Sequence, residues 1–188
     1  YDITEDITDV EQKLIDTFMP GPFTIILKKK SIIPNCVTAN MDTVGIRVPD
    51  NTIAHKFLSI VNVPIAAPSA NISSRPSGTK VEDIEEEFKD KVNYIINGGE
   101  SKIGLESTVI KVIDNIPTIL RPGKVTKEDI ERVIGVCNIS ALFLFSLAAF
   151  VIISIELLWI LLLFWDIFNI FESLKFFVES FLFELIYI

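Results

Sequence analysis

Apolar residues recur at intervals of three and four along several stretches of the chain, which is the spacing of one face of an α-helix. In the first stretch Val10, Leu14 and Phe18 share a face, and the Pro20-Gly21-Pro22 run ends the helix. Together with polar residues that cap helix starts, this spacing predicts four helices. They cover residues 10–19, residues 52–60 capped by Asp50 or Asn51, residues 81–88 capped by Thr79, and residues 127–134 between Thr126 and Gly135.

Short runs of alternating or β-branched apolar residues, bounded by Gly, Pro and Asn, predict strands between these helices. The predicted strands cover residues 23–27, 43–48, 63–67, 92–96, 107–113 and 118–121. Helices and strands intermix without strict alternation, so both parallel and antiparallel pairs are expected. The predicted fold class is α+β, an open twisted mixed sheet with flanking helices.

The composition of the chain changes abruptly at residue 139. Residues 139–188 hold ten of the fourteen Phe and both Trp but no Gly, Pro or Arg, and Lys175 is their single cation. We therefore predict two units, a domain over residues 1–138 and a hydrophobic helical tail over residues 139–188.

Three interpretations of this tail stay open. One is a membrane segment, because about 20 apolar residues suffice to cross a bilayer as a helix. Another is a buried helical hairpin, although so much Phe, Leu and Ile requires a large partner surface. The third is an unnatural segment, translated past a frameshift. We expect a cytoplasmic location, with membrane association only if the tail is natural.

Charge and composition narrow the function classes. The formal net charge of -8 argues against a protein that is basic all over, although Lys28-Lys29-Lys30 forms a local basic run. Cys36 and Cys137 are too few for a disulfide framework and too far apart for a metal-binding motif. One histidine, His55, leaves little room for His-based catalysis. The sequence also lacks the P-loop, GxGxxG, HExxH and GxSxG motifs.

Four short motifs place hydroxyl groups or an Arg beside residues that fix the backbone. They are Val-Gly-Ile-Arg-Val-Pro at 44–49, Pro-Ser-Ala-Asn at 68–71, Gly-Leu-Glu-Ser-Thr-Val at 104–109 and Leu-Arg-Pro-Gly at 120–123. The planar forks of Arg47 and Arg121 suit a carboxylate or a phosphate, and the side chains of Ser69 and Asn71 suit a nucleotide. Taken alone, each motif also fits an ordinary turn or a solvent-facing side chain.

In this order, the motifs resemble those of the YrdC-like family of L-threonylcarbamoyl-AMP synthases. The resemblance begins at Met19-Pro20-Gly21-Pro22-Phe23-Thr24, includes Asn97-Gly98-Gly99 and ends near Ile134-Gly135. It covers most of residues 5–136, and the ordered set is far more specific than any single motif. It implies an open mixed α+β sheet with a concave face.

The resemblance also implies a reaction and its site. Threonine, bicarbonate and ATP would form threonylcarbamoyl-AMP and pyrophosphate, for the t6A37 modification of tRNA, with Mg²⁺ accompanying ATP and no tightly bound cofactor. No catalytic side chain and no metal ligand is assigned. The implied ATP-binding residues are Thr43, Ser69, Asn71, Ser77 and Arg121. The implied threonine-binding residues are Arg47, Ala67 and Ser107.

The chain departs from the family pattern at both ends. The family has a lysine-x-arginine pair in an N-terminal segment, where this chain offers only Lys13, and its long form has a polar linker and a second small domain where the hydrophobic tail lies. We therefore expect a truncated copy with impaired activity. The expected partners beyond the substrates are a tRNA-modifying transferase complex and tRNA.

Other functions stay open at this point. The main alternative is a non-catalytic module that binds double-stranded RNA or tRNA on its concave face. A carbamoyl-transfer domain of hydrogenase-maturation proteins shares the implied fold. A membrane-tethered fragment, in which the tail carries the function, is the last alternative.

Overall fold

A computed structural model describes residues 3–71, 78–101, 104–140 and 184–186 of the 188-residue chain. Within these ranges the chain forms four α-helices, seven strands and a short 3-10 helix at Asn35–Val37. The helices are α1 (Asp9–Phe18), α2 (Thr52–Val61), α3 (Val81–Phe88) and α4 (Lys127–Ile134). The strands are β1 (Phe23–Lys28), β2 (Thr43–Arg47), β3 (Ile65–Ala67), β4 (Thr108–Ile113), β5 (Ile116–Arg121), β6 (Asn138–Ile139) and β7 (Glu184–Ile186).

The described strands form one mixed sheet in the order β3-β7-β2-β1-β4-β5-β6. At its centre, β1 is antiparallel to β2 and parallel to β4, and β4 continues antiparallel into β5. Strand β7 lies between β2 and β3, parallel to the first and antiparallel to the second. The predicted mixed sheet with flanking helices is confirmed.

One face of the sheet carries the core. Phe23 and Ile25 of β1 and Ile110 of β4 are fully buried there. Helices α1 and α4 cover this face and contribute the fully buried Leu14 and Ile130. Because side chains alternate along a strand, Thr24 of β1 and Arg47 of β2 belong to the other face, which faces the candidate site.

Hydrogen bonds at the helix ends explain why α1 and α4 begin where they do. The hydroxyl of Thr8 and the carboxylate of Glu11 close a capping box on α1, and Thr126 and Asp129 close a second one on α4. Gly135 ends α4 in the left-handed region, at φ 94°. The prediction for α4, including its start and stop residues, is confirmed.

Three local predictions differ from the structure. Helix α3 begins after Lys80 with no side-chain cap, and the carbonyl of Thr79 accepts a hydrogen bond from the Ser101 amide. Residues 92–96 form no strand, and their apolar side chains are exposed. Residues 184–186, predicted as part of a helical tail, pair with β2 and β3 as strand β7.

The predicted tail lies otherwise outside the described residues, apart from Ile139 in β6 and Ser140. Among the residues that are described, no helix combines the length and the apolar character needed to cross a bilayer.

Candidate functional site

A cavity of about 1240 Å³ opens beside the face of the sheet that lies opposite the core. Arg47 at the end of β2, Ser107 before β4 and Arg121 at the end of β5 line one side of it. Ala67 and Ser69, at and after the end of β3, line it too. The cavity therefore collects residues from all four sequence motifs.

The Pro-Gly-Pro run before β1 joins two of these motifs. The guanidinium Nε of Arg47 donates to the carbonyl of Gly21 at 3.2 Å, and the Gly21 amide donates to the carbonyl of Val48 at 2.8 Å. One residue later, the carbonyl of Pro22 accepts from the amide of Thr108 at 3.0 Å. The backbone of this run thus fixes both the Arg47 segment and the segment that carries Ser107.

The guanidinium of Arg121 is held by three groups of the Gly-Leu-Glu-Ser-Thr motif. Its Nε and Nη2 donate to the carbonyl of Ser107 at 3.2 and 3.1 Å, and Nη2 also donates to the Ser107 hydroxyl at 2.9 Å. Nη1 forms an ion pair with Glu106 at 2.9 Å. The Arg121 side chain is 21% exposed and that of Glu106 61%, so the guanidinium is largely buried while its anionic partner reaches solvent. An arriving phosphate would compete with Glu106 for this cation.

The hydroxyl of Ser107 has a second buried neighbour. Its Oγ lies 2.8 Å from Oγ1 of Thr24 on β1, a hydrogen bond between residues 83 positions apart. Thr24 is 1% exposed and Ser107 3%. Thr24 was missed as a site residue because a β-branched residue in an apolar run indicates only a strand.

The segments around Ser107 and Gly123 interlock tightly. A Cβ at Gly123 would lie 2.4 Å from the carbonyl oxygen of Glu106 and 2.5 Å from the amide nitrogen of Thr108. The Thr108 hydroxyl donates to the carbonyl of Val125 at 2.8 Å and accepts from the Val125 amide at 3.0 Å. The side-chain-free Gly123 is therefore required for the two motifs to pack together.

Two implied residues, Thr43 and Asn71, are described but do not belong to the lining of the cavity. Thr43 begins β2, four residues before Arg47, and alternation places it on the same face of that strand. Asn71 follows the Ser69 turn, where its amide donates to the carbonyl of Ser69 at 3.0 Å. Ser77 lies outside the described residues.

The starts of α2 and α3 also line the cavity. Asn51 caps α2 through its side-chain oxygen, which accepts from the amides of Ile53 and Ala54 at 3.0 Å. Its side-chain nitrogen donates to the carbonyl of Gly98, also at 3.0 Å. One side chain thereby joins the start of α2 to the Asn-Gly-Gly turn. The sequence indicated the cap but not the second bond, which spans 47 positions.

The basic run at residues 28–30 takes part in internal contacts. Lys28 forms an ion pair with Glu5 at 2.7 Å, and this hydrogen-bonded carboxylate raises the pKa of the Lys28 amine. Nζ of Lys29 donates to the carbonyl of Ile33 and to Oδ1 of Asn35, at 2.8 and 2.9 Å. Two of the three amines therefore stabilise neighbouring segments.

Within the described ranges, no three His, Cys, Asp or Glu side chains lie close enough together to hold a metal ion. Cys36 is exposed and Cys137 is buried, and burial raises the pKa of the Cys137 thiol to about 11. A neutral, buried thiol is a poor nucleophile. The described lining of the cavity therefore offers guanidinium groups and hydroxyls, together with the carboxylate of Glu106 and the amine of Lys80.

The profile of the Sua5/YciO/YrdC family, described as telomere recombination, matches residues 1–123. The chain is 44% identical over 133 residues to the threonylcarbamoyl-AMP synthase of Pyrococcus abyssi, and 43% identical over 136 residues to that of Bacillus subtilis. Each alignment covers 71% of this chain and 39% of the relative. The chain thus spans about two fifths of the length of these relatives.

A solved structure is also similar. The crystal structure of P. abyssi Sua5 complexed with L-threonine superposes with a TM-score of 0.71 at 42% identity. The match covers 75% of this chain and 42% of that one. The similarity thus includes most of the described fold.

Proposed function

Because this chain belongs to the Sua5/YciO/YrdC family, we propose that it carries the substrate pocket of a threonylcarbamoyl-AMP synthase. The proposed reaction joins threonine, bicarbonate and ATP and releases pyrophosphate. The observation that carries this proposal is the cavity on which Arg47, Ser107 and Arg121 converge with Ala67 and Ser69. It combines cations for two anionic substrates with small residues that leave room for them.

Arg47 is proposed to bind the threonine carboxylate. Its Nε donates to the carbonyl of Gly21, which holds the guanidinium beside the cavity, and the planar fork of an Arg matches a carboxylate. Ala67 supplies a small wall and Ser107 a hydroxyl for the rest of the amino acid. With the carboxylate held, the amine is positioned to react with bicarbonate or CO₂ and form the carbamate.

Arg121 is proposed to bind the phosphates of ATP, together with the hydroxyls of Thr43, Ser69 and Ser77 and the amide of Asn71. Attack of the carbamate oxygen on the α-phosphate increases negative charge on the phosphate oxygens while pyrophosphate leaves. A guanidinium already fixed by Ser107 stabilises that charge without reorganising. Glu106 would give up its ion pair with Arg121 as the phosphates enter.

Mg²⁺ is proposed to enter with ATP, where it would neutralise part of the phosphate charge. A separate enzyme would then transfer the threonylcarbamoyl group to tRNA.

The test is product formation from labelled threonine, bicarbonate and Mg-ATP, followed by chromatography of threonylcarbamoyl-AMP. Arg47→Ala and Arg121→Ala should each lower the rate by roughly 10- to 100-fold, because each removes charge-assisted hydrogen bonds. Arg132→Ala is the matched control, since this exposed Arg pairs with Asp129 on α4 and does not line the cavity. Equal rates in all three variants would contradict the proposal.

A further inference from the structure

The buried hydroxyl of Thr24 stands out on β1. Its neighbours Phe23 and Ile25 are fully buried apolar residues, and Thr24 itself is 1% exposed. Valine has the same shape and favours strands equally well, so burial and strand propensity do not explain a hydroxyl here. The position of this hydroxyl, 2.8 Å from Oγ of Ser107, offers an explanation.

Ser107 in turn fixes Arg121. The Ser107 hydroxyl and carbonyl together accept three hydrogen bonds from Nε and Nη2 of Arg121. Because a guanidinium is planar, bonds to two of its nitrogens define its plane as well as its position. The side-chain rotamer of Ser107 therefore determines the position of the hydroxyl that accepts from Nη2 of Arg121.

We propose that Thr24 is a positioning residue for Arg121. By bonding to Ser107 Oγ, Thr24 holds the Ser107 side chain in the rotamer that accepts from Arg121 Nη2. The guanidinium is then directed at the cavity before any ligand arrives, which lowers the cost of ordering it on binding. Thr24 is absent from the described lining of the cavity and acts through its neighbours. The role as a nucleotide-positioning residue rests on the proposed function; the Thr24–Ser107–Arg121 geometry does not.

Two substitutions at one position separate this role from simple packing. Thr24→Val keeps the shape but removes the hydroxyl, whereas Thr24→Ser keeps the hydroxyl. Thr118→Val on β5 is the matched control, because Thr118 is also nearly buried but does not line the cavity. Each variant is made in the full chain and checked for folding by circular dichroism.

The first readout needs no ligand. Hydrogen exchange at the Nη2–H groups of Arg121, followed by NMR, should accelerate about tenfold in Thr24→Val and stay near the wild-type rate in Thr24→Ser and Thr118→Val. Unchanged exchange in a folded Thr24→Val protein would overturn the proposal. If Thr24→Val does not fold, Ser107→Ala removes the other half of the hydroxyl pair, and unchanged Arg121 exchange there would overturn it too.

The second readout is the dissociation constant for Mg-ATP. We expect a rise of about tenfold in Thr24→Val, recovery to within about twofold in Thr24→Ser, and no change in Thr118→Val. A wild-type chain that binds no ATP would contradict the proposed function alone, because the exchange measurement still decides the role of Thr24. Loosened Arg121 with unchanged ATP affinity would overturn the positioning role.

Discussion

The absence of a side chain at Gly123 allows two segments of the candidate site to pack against each other. Its backbone lies against the Glu106–Thr108 segment so closely that a Cβ would approach the Glu106 carbonyl oxygen to 2.4 Å. The two nearest atoms, the Glu106 carbonyl oxygen and the Thr108 amide nitrogen, belong to the backbone, so a rotamer change cannot move them. Steric fit, rather than an unusual φ angle, therefore explains the glycine.

We predict that Gly123→Ala destabilises the chain by about 2 kcal/mol, because the added methyl group forces two packed segments apart. Urea denaturation measures this change. Gly104→Ala is the matched control: Gly104 lies in the motif that Gly123 packs against, yet a Cβ there meets nothing within 4 Å. Equal stability of the two variants would show that the segments do not interlock as described.

Cys137 gives the stability of the chain a dependence on pH. Burial raises the pKa of its thiol from 9.0 to about 11, so the folded state favours the neutral form. The resulting stabilisation is fully present below pH 9 and is lost as the pH rises towards 11. Between pH 9 and pH 11 the free energy of unfolding of Cys137→Ala should therefore fall less than that of the wild type, as measured by urea denaturation at each pH.

Replacement of the exposed Cys36 by Ala is the control. Parallel pH profiles for the wild type and Cys137→Ala would contradict the assignment.

At the scale of elements, α2 depends on the two bonds made by Asn51. Its side-chain oxygen caps the helix, and its nitrogen binds the carbonyl of Gly98. Asn51→Ala removes both and should cost about 1 to 2 kcal/mol in unfolding free energy. Asn51→Asp keeps the cap but cannot donate to Gly98.

The Asp variant separates the two contributions. We expect Asn51→Asp to retain most of the cap energy, while amide exchange in the Asn97-Gly98-Gly99 turn becomes faster than in the wild type. Unchanged exchange in that turn would indicate that the bond to Gly98 does not hold it.

Local patterns predicted most of the elements correctly, and their failures have physical causes. The α4 helix follows from Thr126, its apolar spacing and Gly135, all of which act within a few residues. The predicted Thr79 cap does not form: Lys80 is the N-cap of α3, and the amide of the distant Ser101 donates to the Thr79 carbonyl. Residues 92–96 have strand-like composition but are exposed, and strand propensity depends on packing against neighbours that local sequence does not encode.

At the scale of the whole molecule, the sheet brings together residues far apart along the chain. Arg47, Ser69, Ser107 and Arg121 were singled out by residue type and motif order, and the sheet places them around one cavity. The hydrogen bond from Ser107 to Thr24 and the ion pair from Arg121 to Glu106 were not predicted. The hydrogen bond depends on the parallel pairing of β1 with β4, and the ion pair on the antiparallel pairing of β4 with β5. The position of β7 between β2 and β3 is equally nonlocal.

The central claim is that two arginines from different strands bind two different substrates in one cavity. Isothermal titration of the full chain with L-threonine and, separately, with Mg-ATP tests it most directly, using Arg47→Ala, Arg121→Ala and the Arg132→Ala control. We predict that Arg47→Ala weakens threonine binding by roughly 10- to 100-fold with little change for ATP, and that Arg121→Ala does the reverse. Binding of both ligands with wild-type affinity by both variants, or of neither ligand by the wild-type chain, would contradict the account.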